Sequence, residues 1–172
     1  MSEDKIEKHT FTYPFLFRII FRYGNIIITP LLLLYTIPLV TFLDEKIILA
    51  FPLLVNLFLI YFLNRHYFNL YKILPYLIEA DDEKITCSEF FLSKKEIVIY
   101  YNDVTSLSGG IFEKKISGVM KVCDGKDNLC IGFYQRLNNS GKLATIILSK
   151  VKRELYDIVL EKIKSGNKKV KK

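Results

Sequence analysis

The chain carries two apolar segments, residues 24–43 and 47–63, and neither contains a charged residue. A bilayer core about 30 Å thick is crossed by roughly 20 predominantly apolar residues in a helix. The first segment has that length, and the second reaches it when the residues through Tyr67 are added. Asp44, Glu45 and Lys46 separate the two segments. The sequence therefore predicts a membrane α-helical hairpin, with two transmembrane helices over residues 24–67 and a tight turn between them.

Aromatic and basic residues border both predicted helices. Arg18 and Arg22 lie among aromatic residues before the first helix, and Arg65 and Lys72 lie among tyrosines after the second. Such side chains are favoured at headgroup level, because each has an apolar body and a polar tip. We therefore assign residues 1–23 to a loose N-terminal tail and interfacial segment, and we predict that these four basic residues lie at the membrane interface. A lipid-headgroup clamp formed by Arg18 and Arg22 is the alternative.

The distribution of basic residues also predicts an orientation. Lysines and arginines are concentrated at the two outer ends of the hairpin, whereas the connecting turn has only Lys46 beside two acidic residues. Segments next to membrane spans that are rich in Lys and Arg stay in the cytoplasm. We therefore expect a multi-pass protein of the inner (cytoplasmic) membrane with both termini in the cytoplasm.

The chain has three cysteines, Cys87, Cys123 and Cys130, and no Cys-x-x-Cys pair. An odd number of cysteines in a chain predicted to face the cytoplasm indicates free, buried thiols in a reducing compartment. Cys123 and Cys130 flank a predicted turn, so a second interpretation places them opposite each other in a β-hairpin. Zinc is not predicted, because a structural site needs four ligands, and His9 and His66 are far from the cysteines in sequence.

From residue 75 onward the hydrophobic period changes to two, which is typical of β-strands with one buried face. Ile97, Ile99 and Tyr101 alternate with Val98 and Tyr100 in the clearest example. Turn-forming residues separate the runs at intervals of about ten residues, which predicts antiparallel hairpin connections. The predicted strands lie within residues 75–80, 84–93, 96–108, 116–125 and 128–137.

After residues 138–141 the apolar residues recur every three or four positions. That spacing predicts an amphipathic helix at the end of the domain. Asn139 or Ser140 is the predicted N-cap, and Gly166 is the predicted stop. Residues 144–148 also fit a final strand, which leaves a shorter helix as the alternative. The periodic positions are Leu143, Ile147, Val151, Leu155, Ile158 and Val159.

The segments EIVIYYNDVTSLSGGIF (96–112), ISGVMKV (116–122) and NLCIGFY (128–134) form a strand pattern that a C-terminal helix follows. Placed after a two-helix hairpin, this pattern resembles the bacterial membrane-anchored PH-like domain proteins. The resemblance implies an α+β PH-like domain over residues 75–165, built as an antiparallel sheet or partial barrel with a C-terminal helix. It implies a role in binding or assembly, and it does not imply phosphoinositide binding. The acidic turn at residues 81–83 disfavours a phosphate site there.

The formal net charge of +7 suits either nucleic acid or an anionic membrane surface. Beside a membrane hairpin the lipid surface is the simpler partner, so no nucleic-acid partner is predicted. The basic tail at residues 166–172 is predicted to contact anionic lipid, with a solubilising tail as the alternative. The lysine pairs at residues 94–95 and 114–115 are interpreted as solvated, with a basic rim on neighbouring loops as the alternative. The lipid-surface lysines of the tail are Lys168, Lys169, Lys171 and Lys172.

None of the motifs GxSxG, HExxH, GxxxxGK[ST] or GxGxxG occurs in the chain. The sequence therefore predicts no enzyme activity, catalytic residue, cofactor or metal. We expect the PH-like module to be a cytoplasmic, non-enzymatic docking or assembly scaffold, with the lipid bilayer and a membrane protein or a second copy of the chain as partners. An accessory subunit of a membrane transport or lipid-handling complex is the alternative, because Asn56 and three prolines lie within the predicted spans. Asn56 itself is predicted to connect the two helices.

Overall fold

The computed structural model describes residues 8–115, 118–126 and 129–168. The chain divides into two compact units. Residues Leu16–Lys72 form one of them, which we call the hairpin unit, and the residues on both sides of this segment form the other, the sheet unit. The sheet unit is therefore discontinuous in sequence, and the hairpin unit is inserted near its beginning.

Two long apolar helices joined by a turn make up the hairpin unit, as predicted. Helix α1 spans Phe15–Thr41 and helix α2 spans Ala50–Ile73, and a single 3₁₀ turn at Ile47–Leu49 precedes α2. Both spans are long and apolar enough to cross a membrane. Part of the predicted interfacial segment belongs to the first helix, because α1 already begins at Phe15.

The prolines occupy different places in the two helices. Pro30 and Pro38 lie inside α1, where each lacks the N–H that would bond the carbonyl oxygen four residues earlier. Pro52 lies in the first turn of α2, where backbone N–H groups have no partner within an α-helix. We therefore expect the prolines to weaken helical hydrogen bonding in α1 and not in α2.

The first sheet of the sheet unit is antiparallel, with the strand order β1-β2-β3-β4. Its strands are β1 His9–Thr12, β2 Leu77–Ala80, β3 Lys84–Ser88 and β4 Ile97–Tyr100. Strand β1 precedes the hairpin unit and β2 follows it, and Phe11 pairs with Ile78 between them. The prediction of a loose tail is therefore wrong for His9 and Thr10, which belong to a paired strand.

A one-turn 3₁₀ helix at Tyr101–Asp103 marks the corner between the two sheets. The sequence predicted one strand through this region, but the chain changes sheets here. Tyr101 is buried, and its hydroxyl donates to the carbonyl oxygen of Asp81 at 3.1 Å, which holds the corner to the turn before β3. The second sheet has the antiparallel order β5-β6-β7. Its strands are β5 Val104–Ser108, β6 Val119–Asp124 and β7 Cys130–Tyr134.

Two helices, α3 Ser140–Lys150 and α4 Arg153–Lys168, replace the single predicted helix. Residues 144–148 are helical, so the alternative of a final strand is wrong. The predicted stop at Gly166 is also wrong, because α4 continues to Lys168. A glycine inside a helix costs only about 1 kcal/mol relative to alanine, so it does not by itself end one.

The N-terminus of α3 is held differently from the prediction. Asn139 is the N-cap residue, but its backbone is left-handed (φ 56°) and its side chain makes no capping hydrogen bond. The hydroxyl of Ser140 donates instead to the carbonyl oxygen of Gln135 at 2.9 Å. The helix therefore begins from a tight turn whose polar contacts point back towards β7.

The core of the sheet unit is apolar and contains residues from both sheets and both C-terminal helices. Strand alternation places Ile85 and Phe133 in the interior, and Leu143 and Val159 are buried on α3 and α4. Helix α4 packs against β5 and against a short 3₁₀ helix at Gly110–Glu113. Helix α3 packs against this 3₁₀ helix and against the one at Tyr101–Asp103, so both helices bury one face of an amphipathic pattern.

Candidate functional site

Asn56 is the centre of a polar layer inside the hairpin unit. It is 3 % exposed, and its amide donates to the Leu32 carbonyl oxygen at 3.0 Å and to the Thr36 hydroxyl at 2.8 Å. The Thr36 hydroxyl donates in turn to the same carbonyl oxygen at 2.9 Å. Because a buried polar group is costly unless it is hydrogen-bonded, this layer favours one register of α1 against α2. The predicted helix-connecting role of Asn56 is confirmed.

A second polar layer lies nearer the open end of the hairpin unit, where the chain enters α1 and leaves α2. Asn25 donates to the side-chain oxygen of Asn64 at 2.9 Å, and the Thr29 hydroxyl donates to the side-chain oxygen of Asn25 at 2.9 Å. The amide of Asn64 donates to the Thr29 oxygen at 3.1 Å, which closes a ring of three hydrogen bonds. Sequence reasoning missed this layer. Its signal was the spacing of four residues between Asn25 and Thr29, which places both on one helix face.

Close packing at the open end brings the two helices together. A Cβ atom on Gly24 would lie 2.5 Å from the Tyr67 hydroxyl oxygen, so a larger residue would force the Tyr67 side chain to move. The Tyr71 hydroxyl donates to the Arg22 carbonyl oxygen at 3.3 Å. The beginning of α1 therefore faces the end of α2, as expected for an antiparallel pair.

The structure places all four predicted interface residues at this open end. Arg18 and Arg22 are half-buried on α1, and Arg65 and Lys72 are exposed on α2. The Arg65 guanidinium donates to the Tyr61 hydroxyl at 3.0 Å. These cationic side chains lie at one end because, in an antiparallel helix pair, the start of the first helix lies beside the end of the second.

The outer surface of the hairpin unit is apolar along its length. Within the most apolar 18-residue stretch of each candidate span, the buried share is 11 % in the first and 6 % in the second. Leu31, Leu54 and Phe58 are among the exposed side chains. A continuous apolar surface of this kind needs a cover, which either hydrocarbon or an apolar protein surface supplies.

The predicted lipid-surface tail is only partly described. Lys168 is the last residue of α4. The predicted contacts of Lys169, Lys171 and Lys172 lie outside the described residues. On the same helix Lys162 and Lys164 are exposed, so α4 carries basic side chains towards the tail.

Two of the three cysteines form a disulfide between Cys123 and Cys130. They stand directly opposite each other on β6 and β7, with Cα atoms 4.1 Å apart. The adjacent pair is hydrogen-bonded from the Asp124 N–H to the Leu129 carbonyl oxygen, so the cysteines occupy the non-hydrogen-bonded position, where side chains approach most closely. The prediction of three free thiols is wrong for these two, and the facing-cysteine interpretation is confirmed.

Cys87 is the free, buried cysteine of the described chain, and burial raises the pKa of its thiol. A buried thiol with a raised pKa carries little thiolate and is therefore unreactive. The disulfide weighs against a cytoplasmic location of the sheet unit, because disulfides are rare in reducing compartments. The arrangement of basic residues around the hairpin is unaffected by this correction.

The break between α3 and α4 leaves an apolar groove with a volume of about 540 Å³. Leu148, Val151, Tyr156 and Leu160 line it together with Arg153. Side chains of this kind suit the binding of an apolar segment. The described ranges contain no group of three or more His, Cys, Asp or Glu residues placed to hold a metal ion.

The acidic turn before β3 uses its carboxylates for local structure. The Asp81 carboxylate accepts hydrogen bonds from the backbone N–H groups of Glu83 and Lys84 at 2.9 and 2.8 Å. The Asp82 carboxylate pairs with Lys150 of α3 at 2.8 Å on the surface. The turn therefore stabilises the β2–β3 connection, and its acids are not arranged as a catalytic pair.

Comparisons of the chain with protein-family models, with curated proteins and with solved structures found no match.

Proposed function

We propose that the chain is an integral protein of the inner (cytoplasmic) membrane, in which the hairpin unit spans the bilayer twice and carries the sheet unit as a non-enzymatic docking or assembly scaffold. The exposed apolar surface of α1 and α2 carries this proposal. Each square ångström of apolar surface left in water costs roughly 25 cal/mol, and a bilayer removes that cost. The helices satisfy most of their own backbone hydrogen bonds, which is the condition for crossing hydrocarbon.

The positions of charged groups support an orientation with both termini in the cytoplasm. The four basic interface residues lie at the open end of the hairpin unit, whereas the turn has Lys46 beside Asp44 and Glu45. This asymmetry follows the positive-inside rule. The disulfide between Cys123 and Cys130 weighs in the other direction, so orientation needs its own test.

The orientation test uses one new cysteine at each end of the topology. We expect Glu45→Cys to react with a membrane-impermeant thiol reagent in intact cells, and we expect Lys164→Cys to react only after lysis. Both side chains are exposed, so accessibility to reagent differs only through the membrane. Labelling of Lys164→Cys in intact cells would reverse the proposed orientation.

The PH-like assignment is supported by the strand arrangement of the sheet unit. A four-stranded and a three-stranded antiparallel sheet are followed by helices at the C-terminal end. This is the α+β arrangement that the resemblance implies, with the addition of β1, which precedes the hairpin unit in sequence. Strand β4 is at one edge of the first sheet, and such an edge accepts an added strand from a partner.

Site-specific photocross-linking in native membranes tests the scaffold role. Photoreactive residues replacing Tyr156 in the groove and Tyr100 on β4 probe the two candidate surfaces, and both positions are exposed. We expect one of them to cross-link to another membrane protein or to a second copy of the chain. A probe replacing Glu45 in the hairpin turn is the matched control, and it should not capture the same partner. If neither sheet-unit probe captures any protein, the scaffold role is wrong.

The alternative role, an accessory subunit for transport or lipid handling, draws no specific support from the hairpin unit. The amide of Asn56 is occupied by Leu32 and Thr36. Asn25, Thr29 and Asn64 bond one another. Polar side chains that satisfy each other stabilise a helix pair, whereas a transport path needs groups that face a cavity.

A further inference from the structure

The loop between β3 and β4, residues 89–96, displays the most exposed large hydrophobic side chain in the described chain. Leu92 is 87 % exposed. Two residues earlier, Phe90 is buried in the sheet unit and anchors the loop. The loop therefore has one aromatic residue directed into the core and one leucine presented to the outside.

The backbone of this loop holds Leu92 outward in an uncommon conformation. Leu92 has φ 53° and Glu89 has φ 57°, and both values lie in the left-handed region that bulky residues rarely adopt. The Ser93 N–H donates to the Phe90 carbonyl oxygen at 3.3 Å and closes the turn beneath the leucine. Strained backbone that presents an apolar side chain to the outside points to a function for that side chain.

The register of the first sheet places this loop at the end where the sheet unit connects to the hairpin unit. Thr12 at the end of β1 pairs with Leu77 at the start of β2. Leu77 pairs with Ser88 at the end of β3, and Cys87 pairs with Ile97 at the start of β4. The loop therefore leaves the sheet at the same end of the strands as the two connections to the hairpin unit.

These connections are short. Tyr13 and Pro14 alone separate β1 from α1, and residues 74–76 alone separate α2 from β2. The Tyr13 hydroxyl accepts a hydrogen bond from the Tyr134 N–H at 2.9 Å, which secures the first connection to β7. The end of the sheet that carries the loop is therefore tethered within a few residues of both predicted spans.

Two lysines lie beside the leucine and suit an anionic surface, while the acidic residues Glu89 and Glu96 lie at the two ends of the loop. Lys94 and Lys95 follow Leu92 after the intervening Ser93 and are exposed, and the Lys95 ammonium lies 5.3 Å from the Phe90 ring centroid. A leucine next to lysines matches the boundary between acyl chains and phosphate headgroups, where apolar and cationic groups are both favoured.

We propose that the β3–β4 loop docks on the anionic surface of the bilayer, with Leu92 inserted among the upper acyl chains and Lys94 and Lys95 against the lipid phosphates. This inference rests on the proposed membrane insertion of the hairpin unit. The docked loop is a second, non-spanning contact that holds the sheet unit in one orientation on the membrane.

The chain has no tryptophan, so a single introduced tryptophan reports its surroundings without background. Full-length Leu92→Trp is reconstituted in nanodiscs of phosphatidylcholine with phosphatidylglycerol, with and without brominated acyl chains. Leu59→Trp on the exposed surface of α2 is the positive control, and Glu83→Trp on the exposed turn at the opposite end of the first sheet is the negative control. We expect blue-shifted, bromine-quenched emission from Leu92→Trp and Leu59→Trp and unquenched emission from Glu83→Trp.

Each outcome of this experiment is decisive. Quenching of Leu59→Trp without quenching of Leu92→Trp overturns loop docking and leaves the membrane hairpin intact, as expected if a protein covers the loop. Absence of quenching at Leu59→Trp overturns the proposed membrane insertion itself. Ser93→Trp, one residue along the loop, repeats the measurement should Leu92→Trp fold poorly.

The lysines provide a second, quantitative readout. Each basic residue near an anionic surface contributes about 1 kcal/mol, so removal of one charge weakens docking about fivefold at low salt. Lys94→Gln and Lys95→Gln in the Leu92→Trp background should therefore raise the unquenched fraction, and Lys126→Gln, an exposed lysine on the β6–β7 turn, should not. Equal effects of all three would show a general charge effect and contradict docking by this loop.

Discussion

The two units of this chain obey opposite rules of burial. In the hairpin unit the polar side chains are inside, as shown by Asn25 and Asn56, and apolar ones such as Leu54 are outside. In the sheet unit the interior is apolar, as shown by Phe133, and the surface carries the charges. The inversion is what the proposed membrane insertion requires, with hydrocarbon around the hairpin unit and water around the sheet unit.

The largest expected effect contrasts the same substitution in the two units. Phe133→Ala removes a fully buried ring from β7 and should lower the free energy of unfolding by about 3–5 kcal/mol. Phe58→Ala removes an exposed ring from α2 and should cost less than about 1 kcal/mol, because lipid replaces the lost contacts. Denaturant unfolding in detergent micelles measures both. Equal losses would mean that Phe58 is covered by protein and would break the comparison.

The next effect concerns charge. Phe58→Arg places a guanidinium on the apolar surface of α2 and should raise the apparent free energy of membrane insertion by roughly 3 kcal/mol. Tyr100→Arg, at an exposed position on β4, should change stability by less than about 0.5 kcal/mol. The inserted fraction after alkaline extraction of membranes measures the first, and thermal unfolding measures the second. Unchanged insertion of Phe58→Arg would contradict a lipid-facing position.

Loss of the disulfide should affect one unit only. Cys123 and Cys130 are seven positions apart, and closing so short a loop stabilises the folded state by about 2 kcal/mol. Reduction, or the double change Cys123→Ser with Cys130→Ser, should lower the free energy of unfolding of the sheet unit by that amount and leave the helical signal of the hairpin unit in place. Circular dichroism followed at helical and strand wavelengths separates the two. Simultaneous loss of both signals would show that the units unfold together.

A smaller effect is expected from the polar layer. Asn56→Leu removes the hydrogen bonds to Leu32 and Thr36 and should weaken helix association by about 1 kcal/mol. Thr36→Val should show part of this loss. Thr41→Val is the matched control, because the Thr41 hydroxyl donates to the Ile37 carbonyl oxygen within its own helix. A loss at Thr41→Val equal to that at Asn56→Leu would remove the special role of the layer.

The smallest effect is the pH dependence of the sheet unit. Burial raises the pKa of the Cys87 thiol above its ordinary value of 9.0, so the native state keeps a proton that the unfolded state releases. The free energy of unfolding is therefore nearly independent of this group well below pH 9 and falls as the pH rises through 9 towards the raised pKa, with a loss of about 0.4 kcal/mol between pH 7 and pH 9. Unfolding of Cys87→Ala should lack this slope. An identical slope in that variant would assign the pH dependence to another group.

Local pattern was sufficient to predict the elements that depend on neighbouring residues. The two apolar helices follow from the length of residues 24–43 and 47–63, and the turn at Asp81 follows from its side chain bonding the next backbone N–H groups. The interface residues Arg18 and Lys72 were placed at one end because an antiparallel helix pair requires it.

Contacts between distant residues were not predictable from local pattern. Strand β1 has four residues and pairs with β2 only after the hairpin unit has intervened, so its pattern is too short to recognise. The ring of Asn25, Thr29 and Asn64 depends on the register of two helices. The disulfide depends on the register of β6 against β7, which decides whether two cysteines face each other.

Behaviour in the absence of detergent tests the central claim most directly. If hydrocarbon solvates α1 and α2, the full-length protein should stay in the membrane pellet through alkaline carbonate extraction, and it should precipitate or form large aggregates when detergent is removed. Recovery of the full chain as a monodisperse monomer in plain aqueous buffer, with the hairpin unit still helical, would contradict the account.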